Sequence, residues 1–283
     1  MERGGTFISG PEAHPLFFSD ADAPAPASPL ARLSLQALQY AASLDLDDTR
    51  TLGSRLYRFN TFPASPNARR RWPDGDAVRA FLQLDRYTSN PTVVARSAGA
   101  WCGWRVRRAR GPSHREPRYK LYVSPRPDCV DAALREVIAR LAETRALECK
   151  VGRDLQGLLR PDKLIVYFQT LGALQEAARR WARALAGMPA QGVPFTAAIG
   201  GDGLLSWGLD PPMMRHGRSK RRPASSWREW VTRRLAGALV AARRSPGSAV
   251  PPTRFALDRV ALEGVDTRTW TPSPWLRRTA AFG

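Results

Sequence analysis

The stretch YKLYVS, residues 119–124, decides the fold class of this 283-residue chain, because polar and apolar side chains alternate along it. A period of two is typical of a β-strand, whose side chains point to opposite faces in turn. The alternation puts Lys120 and Tyr122 on one face and Leu121 and Val123 on the other. The first face is a candidate functional surface, and the second is a candidate core face.

Two later stretches repeat this arrangement of a lysine on an otherwise apolar strand. In LECKV, residues 147–151, Lys150 points away from the apolar side chains, and in KLIVYF, residues 163–168, Lys163 and Tyr167 share a face. If the three strands are neighbours, their lysines and tyrosines converge on one polar patch suited to a phosphate group. The alternative is that these side chains form only the solvated face of an antiparallel sheet.

The scarcity of lysine strengthens the first interpretation. The chain has 44 basic residues, of which only four are lysine, and three of those lie between positions 120 and 163. Arginine stays protonated under ordinary conditions, whereas a desolvated lysine can lose its proton and act as a base. The cluster of lysines therefore indicates a site, although four residues are few enough to cluster by chance.

Apolar periodicity predicts the elements around these strands. Helices are expected over residues 29–44, 76–84, 130–144, 171–187 and 226–243, and strands over 100–107, 119–124, 147–151, 164–168 and 255–262. Residues 52–62 are predicted to form a short element, and 193–212 a glycine-rich loop. The predicted fold is α+β, a helical N-terminal region followed by a mixed or antiparallel sheet flanked by helices. Its divisions are a disordered N-terminus (1–28), a helical region (29–92), an α+β domain (93–265) and a C-terminal tail (266–283).

Composition restricts the partner and the chemistry. The net charge of +19 calls for an anionic partner, but the basic residues are spread along the chain and select none in particular. Neither the three cysteines nor the three histidines fall at metal-ligand spacing, so zinc is not expected and no cofactor is implied. With no apolar signal core and no run of 18 apolar residues, the sequence predicts a cytoplasmic protein without membrane contact.

Several blocks, taken in order, resemble a known family. They are LYRFN (56–60), RYKLYVS (118–124), CKVGRD (149–154), RPDKLIVYF (160–168), VPFT (193–196), GDGLLSWGLDPP (201–212) and SWREWVT (226–232). Together they are similar to the type III effector-like lyases of class V lanthipeptide synthesis and related thioamide-peptide pathways. More distant relatives are the phosphothreonine lyases that bacteria inject into host cells. The resemblance spans about residues 50 to 245.

The resemblance implies a phosphothreonine lyase-like fold and a reaction. In this family a separate Ser/Thr kinase phosphorylates a ribosomally made precursor peptide. The lyase then removes the α-proton and expels phosphate, leaving dehydroalanine or dehydrobutyrine without a cofactor. The chain itself carries no kinase signature. The expected partners are therefore the leader and phosphorylated core of a precursor peptide, together with a separate kinase, and a groove that grips the leader is expected.

The resemblance also implies roles for individual residues. Lys150 matches the lysine base, and Lys120 matches a phosphate-contacting lysine two positions before a histidine acid. Here Tyr122 replaces that histidine, which puts the identity of the proton donor in doubt. Arg160 and Tyr167 match a phosphate-binding arginine and tyrosine. The further candidates for binding phosphate are Arg153, Lys163, Arg215 and Arg228.

Two other functions remain open from the sequence. Loss of the histidine would suit a scaffold without activity that holds the peptide or the kinase. The basic run over residues 215–222 would suit a nucleic-acid-binding accessory protein, although a loop of this kind can equally order over an acidic phosphopeptide. The lyase is the preferred prediction, and nucleic acid is the least favoured partner.

Overall fold

Helices and short strands alternate along the chain in the computed structural model, which describes residues 2–3, 6–7, 14, 25–88, 92–107, 119–211, 226–245 and 250–282. The elements are β1 (Glu2–Arg3), β2 (Thr6–Phe7), α1 (Pro29–Ser43), α2 (Thr49–Arg58), α3 (Pro66–Arg71), α4 (Gly75–Phe81), β3 (Val93–Ala98), β4 (Trp101–Val106), β5 (Tyr119–Val123), α5 (Val130–Leu141), β6 (Ala146–Gly152), α6 (Leu155–Leu159), β7 (Leu164–Phe168), α7 (Leu171–Ala184), β8 (Ala197–Ile199), β9 (Leu205–Leu209), α8 (Trp227–Arg243), α9 (Pro252–Leu262), β10 (Val265–Asp266), β11 (Thr271–Pro272) and α10 (Pro274–Phe282). The α+β prediction is confirmed.

Seven strands form one antiparallel sheet in the order β3-β4-β6-β7-β5-β9-β8. The three lysine-bearing segments are therefore neighbours, with β7 between β6 and β5. The register sets Lys120 opposite Tyr167 and Lys150 opposite Ile165. Because side chains directly opposite each other share a face, all four lie on the same side of the sheet.

The other side of the sheet carries the larger hydrophobic core. Leu121, Val166 and Cys149 point into it from three adjacent strands and are almost completely buried. Helices α5 and α7 cover this side with apolar stripes that include Leu134 and Trp181. The alternation in the sequence thus separates a core face from a polar face, as the pattern predicts.

A second core covers part of the polar face. Helices α1, α2, α8 and α9 pack together there around fully buried side chains such as Leu38, Leu56 and Leu239. Helix α8 lies directly over β9, since a Cβ built on Gly208 would stand 2.5 Å from the Trp227 ring. Only glycine allows this close approach. The partly exposed part of the polar face lies towards β4 and β6, since β7 is buried along its whole length.

Some predicted elements differ from the observed ones. The predicted loop 193–212 contains β8 and β9, whose strand character is hidden by the glycines around them. The predicted strand 255–262 is helix α9, which begins with a proline at its first turn and buries Phe255, Ala256 and Val260 along one side. The predicted tail contains the second residue of β10, together with β11 and α10. Most of residues 1–28 and the basic segment 213–225 lie outside the described residues.

The described helices include none that could cross a membrane, since none combines the necessary length with sufficiently apolar composition.

Candidate active site

Two lysines and a tyrosine from adjacent strands meet on the polar face. The ring of Tyr167 on β7 lies between them, because the Nζ atoms of Lys120 and Lys150 are each 5.4 Å from its centroid. The Lys150 Nζ also stands 4.3 Å from the ring centroid of Trp101 on β4. The convergence expected from the strand pattern is therefore present, and aromatic rings form its walls.

The surroundings of Lys150 favour its neutral form. Burial against the rings, followed by the neighbouring charge of Lys120, lowers the pKa of Lys150 to about 8, although Asp162 and Asp210 oppose the change. At pH 7 roughly a tenth of the amines are then unprotonated, compared with well under a thousandth for an ordinary lysine. The side chain is only partly buried, so this amine can act as a base towards a ligand at the surface.

Lys120 lies deeper and is held by a carboxylate. The residue is 6% exposed, and Nζ is 2.7 Å from Oδ1 of Asp210. The same Oδ1 accepts a hydrogen bond of 3.1 Å from the backbone N–H of Trp227 in the first turn of α8. Asp210 therefore fixes the Lys120 ammonium group and the start of α8 relative to each other.

Arg160, at the end of α6, supplies a third cation. Its Nε and Nη2 donate to both carboxylate oxygens of Asp162, at 2.8 and 2.9 Å. Nη2 also donates to the hydroxyl of Tyr57, which in turn donates to Asp162 at 2.9 Å. The guanidinium carbon lies 5.0 Å from the Trp101 ring centroid, so Arg160 reaches the same aromatic wall as Lys150.

Asp162 is a buried carboxylate held in its charged form by two arginines. Burial alone raises the pKa of Asp162, but the charges of Arg228 and Arg160, with their hydrogen bonds, outweigh it and hold the pKa well below its usual range. An ionised carboxylate inside a protein requires such partners. Asp162 is thus the fixed support on which the partly exposed guanidinium of Arg160 is oriented.

Arg228 is placed behind Asp162. It is 1% exposed, with Nη1 2.9 Å from Oδ2 of Asp162, Nη2 donating to the Tyr57 carbonyl and Nε to the Pro194 carbonyl. Nε and Nη2 are hydrogen-bonded to backbone carbonyls, and Nη1 is buried in an ion pair with Asp162 without hydrogen-bond geometry. The prediction that Arg228 binds phosphate is corrected accordingly, since its guanidinium holds the support in place and is not offered to a ligand.

The prediction that Lys163 binds phosphate is corrected as well. It follows the strand alternation, but its side chain is fully buried and donates to the Pro125 carbonyl at 2.9 Å and to the Gln191 side chain. Burial lowers the pKa of Lys163 to about 7. A lysine enclosed in this way joins the loop before α5 to the loop after α7 and is not accessible to phosphate.

The remaining candidates have different positions. Tyr122 is 1% exposed, and burial raises its pKa well above the usual value, so its phenol lies beneath the site rather than in it. Arg153 follows β6 directly and has an exposed side chain. Arg215 lies outside the described residues.

Four residues of the site were not predicted: Tyr57, Trp101, Asp162 and Asp210. Asp162 had a local signal, because it stands two positions after Arg160 within a block that resembles the family. Tyr57 and Asp210 lie 105 and 90 positions from the residues they support, Asp162 and Lys120. Both lie in blocks that resemble the family, but their distance along the chain hides the pairing with Asp162 and Lys120.

The charges of this cluster suit a phosphate monoester. Its cations are Lys120, Lys150, Arg160 and Arg228, and its carboxylates are Asp162 and Asp210. With Lys150 protonated the cluster carries two positive charges in excess, and a phosphate monoester carries about −1.5 to −2 near neutral pH. Nowhere in the described part of the chain do three His, Cys, Asp or Glu side chains gather as a metal site would require.

A groove begins beside this cluster. It has a volume of about 1380 Å³, lies between α2 and α8, and shares Tyr57, Arg160 and Asp162 with the cluster. Lys150 does not line it. The groove and the lysine cluster are therefore adjacent and meet at these three shared residues.

Comparison with known proteins gives similarity in structure only. No protein-family model matches the sequence. No curated protein matches it either. An effector protein from Pseudomonas syringae pv. tomato strain DC3000 is 11% identical, with a TM-score of 0.57 over 86% of this chain and 98% of that chain. An effector protein from Pseudomonas syringae pv. syringae strain 61 is 13% identical, with a TM-score of 0.53 over 87% of this chain and 98% of that one.

These two structures show that the chain shares its fold with bacterial effector proteins over nearly their full length. A third match, the type III effector and phosphothreonine lyase OspF from Shigella flexneri, has a TM-score of 0.36, 11% identity and coverage of 56% of this chain and 90% of that chain. At that level the match adds nothing to the assignment of the fold.

Proposed function

We propose that the protein is a lyase that eliminates phosphate from phosphoserine or phosphothreonine in a peptide. The observation that supports this most is the Lys150 amine, with a pKa of about 8 beside two further cations. β-Elimination needs a base for a weakly acidic α-proton and positive charge for the departing phosphate. Both requirements are met within one cluster.

Each step of the proposed reaction is assigned to a residue. The neutral amine of Lys150 takes the α-proton, the Cα–Cβ double bond forms, and the Cβ–O bond breaks with its electron pair leaving on phosphate. Arg160 binds the phosphate through the part of its guanidinium not used by Asp162. Because Tyr122 is buried, the proton for the leaving oxygen is assigned instead to the ammonium group of Lys120. Tyr167 separates the two amines and positions them.

The biological setting is proposed from the sequence resemblance. The substrate would be the phosphorylated core of a ribosomally made precursor peptide, and a separate Ser/Thr kinase of the same pathway would act first. The products would be dehydroalanine and dehydrobutyrine, as in lanthipeptide-type biosynthesis in the cytoplasm. The net charge of +19 is consistent with an anionic peptide substrate.

The direct test is incubation of the purified protein with phosphoserine and phosphothreonine peptides, followed by mass spectrometry. Loss of phosphoric acid, together with addition of a thiol to the resulting alkene, would support the lyase. Hydrolysis to serine or threonine would oppose it, since hydrolysis leaves no alkene. Addition of the pathway kinase and its unphosphorylated precursor tests the proposed order of reactions.

A scaffold without activity is the second candidate, and one observation favours it. Lys120 and Tyr167 are only 6% and 4% exposed, so little of either side chain is accessible to a substrate. Tight binding of an intact phosphopeptide, without elimination, would favour the scaffold over the lyase. Steep salt-dependent binding to duplex DNA without peptide binding would instead favour a nucleic-acid-binding accessory protein.

A further inference from the structure

The groove between α2 and α8, here called the α2–α8 groove, is continuous with the lysine cluster. Tyr57, Arg160 and Asp162 line both, so a chain that places a phosphorylated residue at Lys150 can continue past Arg160 into the groove. An extended peptide advances about 3.3 Å per residue. Side chains a few residues from the phosphorylated position would therefore lie within the groove.

The walls of the α2–α8 groove are rich in arginine. Arg50 and Arg58 line it from exposed positions at the two ends of α2, and Arg233 lines it from α8. An adjoining hollow of about 480 Å³ adds Arg55 from the same helix. In the part of the chain that the structure describes, no ion pair links Arg55 or Arg58 to an acidic side chain.

The acidic residues of the groove are already engaged. Asp48 accepts hydrogen bonds from the backbone N–H groups of Arg50 and Thr51 and caps α2. Asp162 forms an ion pair with the buried guanidinium of Arg228. Glu229 pairs with Arg233 at 2.9 Å, but both side chains are about half exposed, and such a pair is weak and easily exchanged.

We propose that the α2–α8 groove binds an acidic segment of the peptide substrate, a few residues from the phosphorylated position. This inference rests on the proposed function, because the groove opens onto the site assigned to elimination. Carboxylates of the peptide would pair with the arginines of α2. They would also pair with Arg233 in place of Glu229. Charge complementarity of this kind sets which peptides bind and how fast they associate.

The test is binding of an unphosphorylated peptide, measured by fluorescence anisotropy. Two labelled peptides are compared, one with three glutamates flanking a serine and one with glutamines in their place. The R50E/R58E variant reverses two groove charges. The R179E/R183E variant is the matched control, since it reverses two exposed arginines of α7 on the opposite side of the sheet.

Wild type and R179E/R183E should prefer the glutamate peptide, and R50E/R58E should bind it about ten- to a hundred-fold more weakly. Added salt should reduce the preference of wild type for the glutamate peptide over the glutamine peptide. Equal loss of binding in both variants would overturn the inference, since it would show a response to net charge alone. Equal binding of the two peptides by wild type would overturn it as well.

The binding assay separates this inference from the proposed lyase activity. The phosphoserine forms of the glutamate and glutamine peptides are also assayed for elimination. If wild type converts both equally and binds the two unphosphorylated peptides equally, the groove inference fails and the lyase stands. If the glutamate peptide binds in the groove but no phosphopeptide is converted, the proposed lyase activity fails, and the groove remains an acidic-peptide site.

Discussion

Replacement of Lys150 by arginine should abolish elimination while it keeps the positive charge. With a pKa of about 8, roughly a tenth of the Lys150 amines are neutral at pH 7. Arginine ordinarily has a pKa above about 12.5, so its neutral fraction at pH 7 is below roughly one in 10⁵. Even if the same surroundings lowered the pKa of the arginine to about 10, the fraction would be about one in 10³. The rate should therefore fall by a factor of about 10² to 10⁴.

The assay is the initial rate of phosphoric acid loss from a phosphothreonine peptide, measured between pH 6 and pH 9 (about the range in which Lys150 titrates). For wild type the rate should rise about tenfold per pH unit below 8 and level off above it, because deprotonation produces the active base. Arg145→Lys, at an exposed position before β6, makes a conservative change of comparable size and should leave the profile unchanged.

Phosphopeptide binding by Lys150→Arg should remain close to that of wild type, since the charge is kept. A variant that retained more than about a tenth of the wild-type rate would refute Lys150 as the base. So would a wild-type rate that does not change with pH across this range.

Three further predictions concern the support of the site. Asp162→Asn leaves the buried guanidinium of Arg228 without its carboxylate, so urea denaturation should show a free energy of unfolding lower by about 3–5 kcal/mol. Tyr57→Phe removes one hydroxyl that bonds to Asp162, and should cost about 1 kcal/mol in the same measurement while lowering the elimination rate less than tenfold. Gly208→Ala places a Cβ against Trp227 and should lower the thermal midpoint by overpacking worth about 1–3 kcal/mol.

Each of these predictions has a control and an outcome that opposes it. Gly201→Ala is matched to Gly208→Ala, since a Cβ there meets nothing within 4 Å, and equal thermal midpoints for the two variants would contradict the close packing of α8 on β9. Tyr40→Phe removes an exposed hydroxyl and should cost nothing measurable. A loss below about 1 kcal/mol in Asp162→Asn would show that Arg228 does not depend on this carboxylate.

The free energy of unfolding of wild type should also fall as the pH is lowered below about 4. Asp162 has a pKa well below its usual range in the folded protein, so its contribution is present above the unfolded value of about 4. As pH falls from about 4 towards the folded pKa, that contribution is lost. Urea titrations across this range should show a smaller decline for Asp162→Asn than for wild type, and equal declines would contradict the assignment.

The strand pattern was sufficient to predict the part of the fold that carries the chemistry. The alternation at residues 119–124 and 163–168 predicts which side chains share a face, and strands β5 and β7 carry Lys120 and Tyr167 together as expected. The pattern leaves strand order open as a condition, since periodicity within a strand contains no information on its neighbours. The observed order β6-β7-β5 meets that condition.

The same pattern could not distinguish exposed lysines from buried ones. Lys150 and Lys163 have similar contexts on their strands, but one is partly buried beside Trp101 and the other is enclosed by Pro125 and Gln191. The enclosing residues come from loops far along the chain. Burial of Tyr122 likewise depends on Ile165, Tyr167 and Val193, which lie in other segments and which a single strand cannot reveal.

Secondary structure is also predicted wrongly for very short elements and for elements that begin with proline. Strand β8 has three residues, too few for an alternation to be recognised. Helix α9 is rich in Val, Leu and Phe, which favoured a strand, but the proline at its start fixes a helical φ and its apolar residues follow a helical spacing. Tertiary packing of these residues on α8 overrides their β-propensity.

The proposed elimination requires an amine at position 150 that loses its proton near neutral pH. The chain has only four lysines, so the ¹³Cε resonances of a lysine-labelled sample can be assigned by single substitutions and titrated by NMR. Lys150 should titrate with a pKa of about 8. A pKa near 10.4, the ordinary value for lysine, would contradict the role of Lys150 as the base.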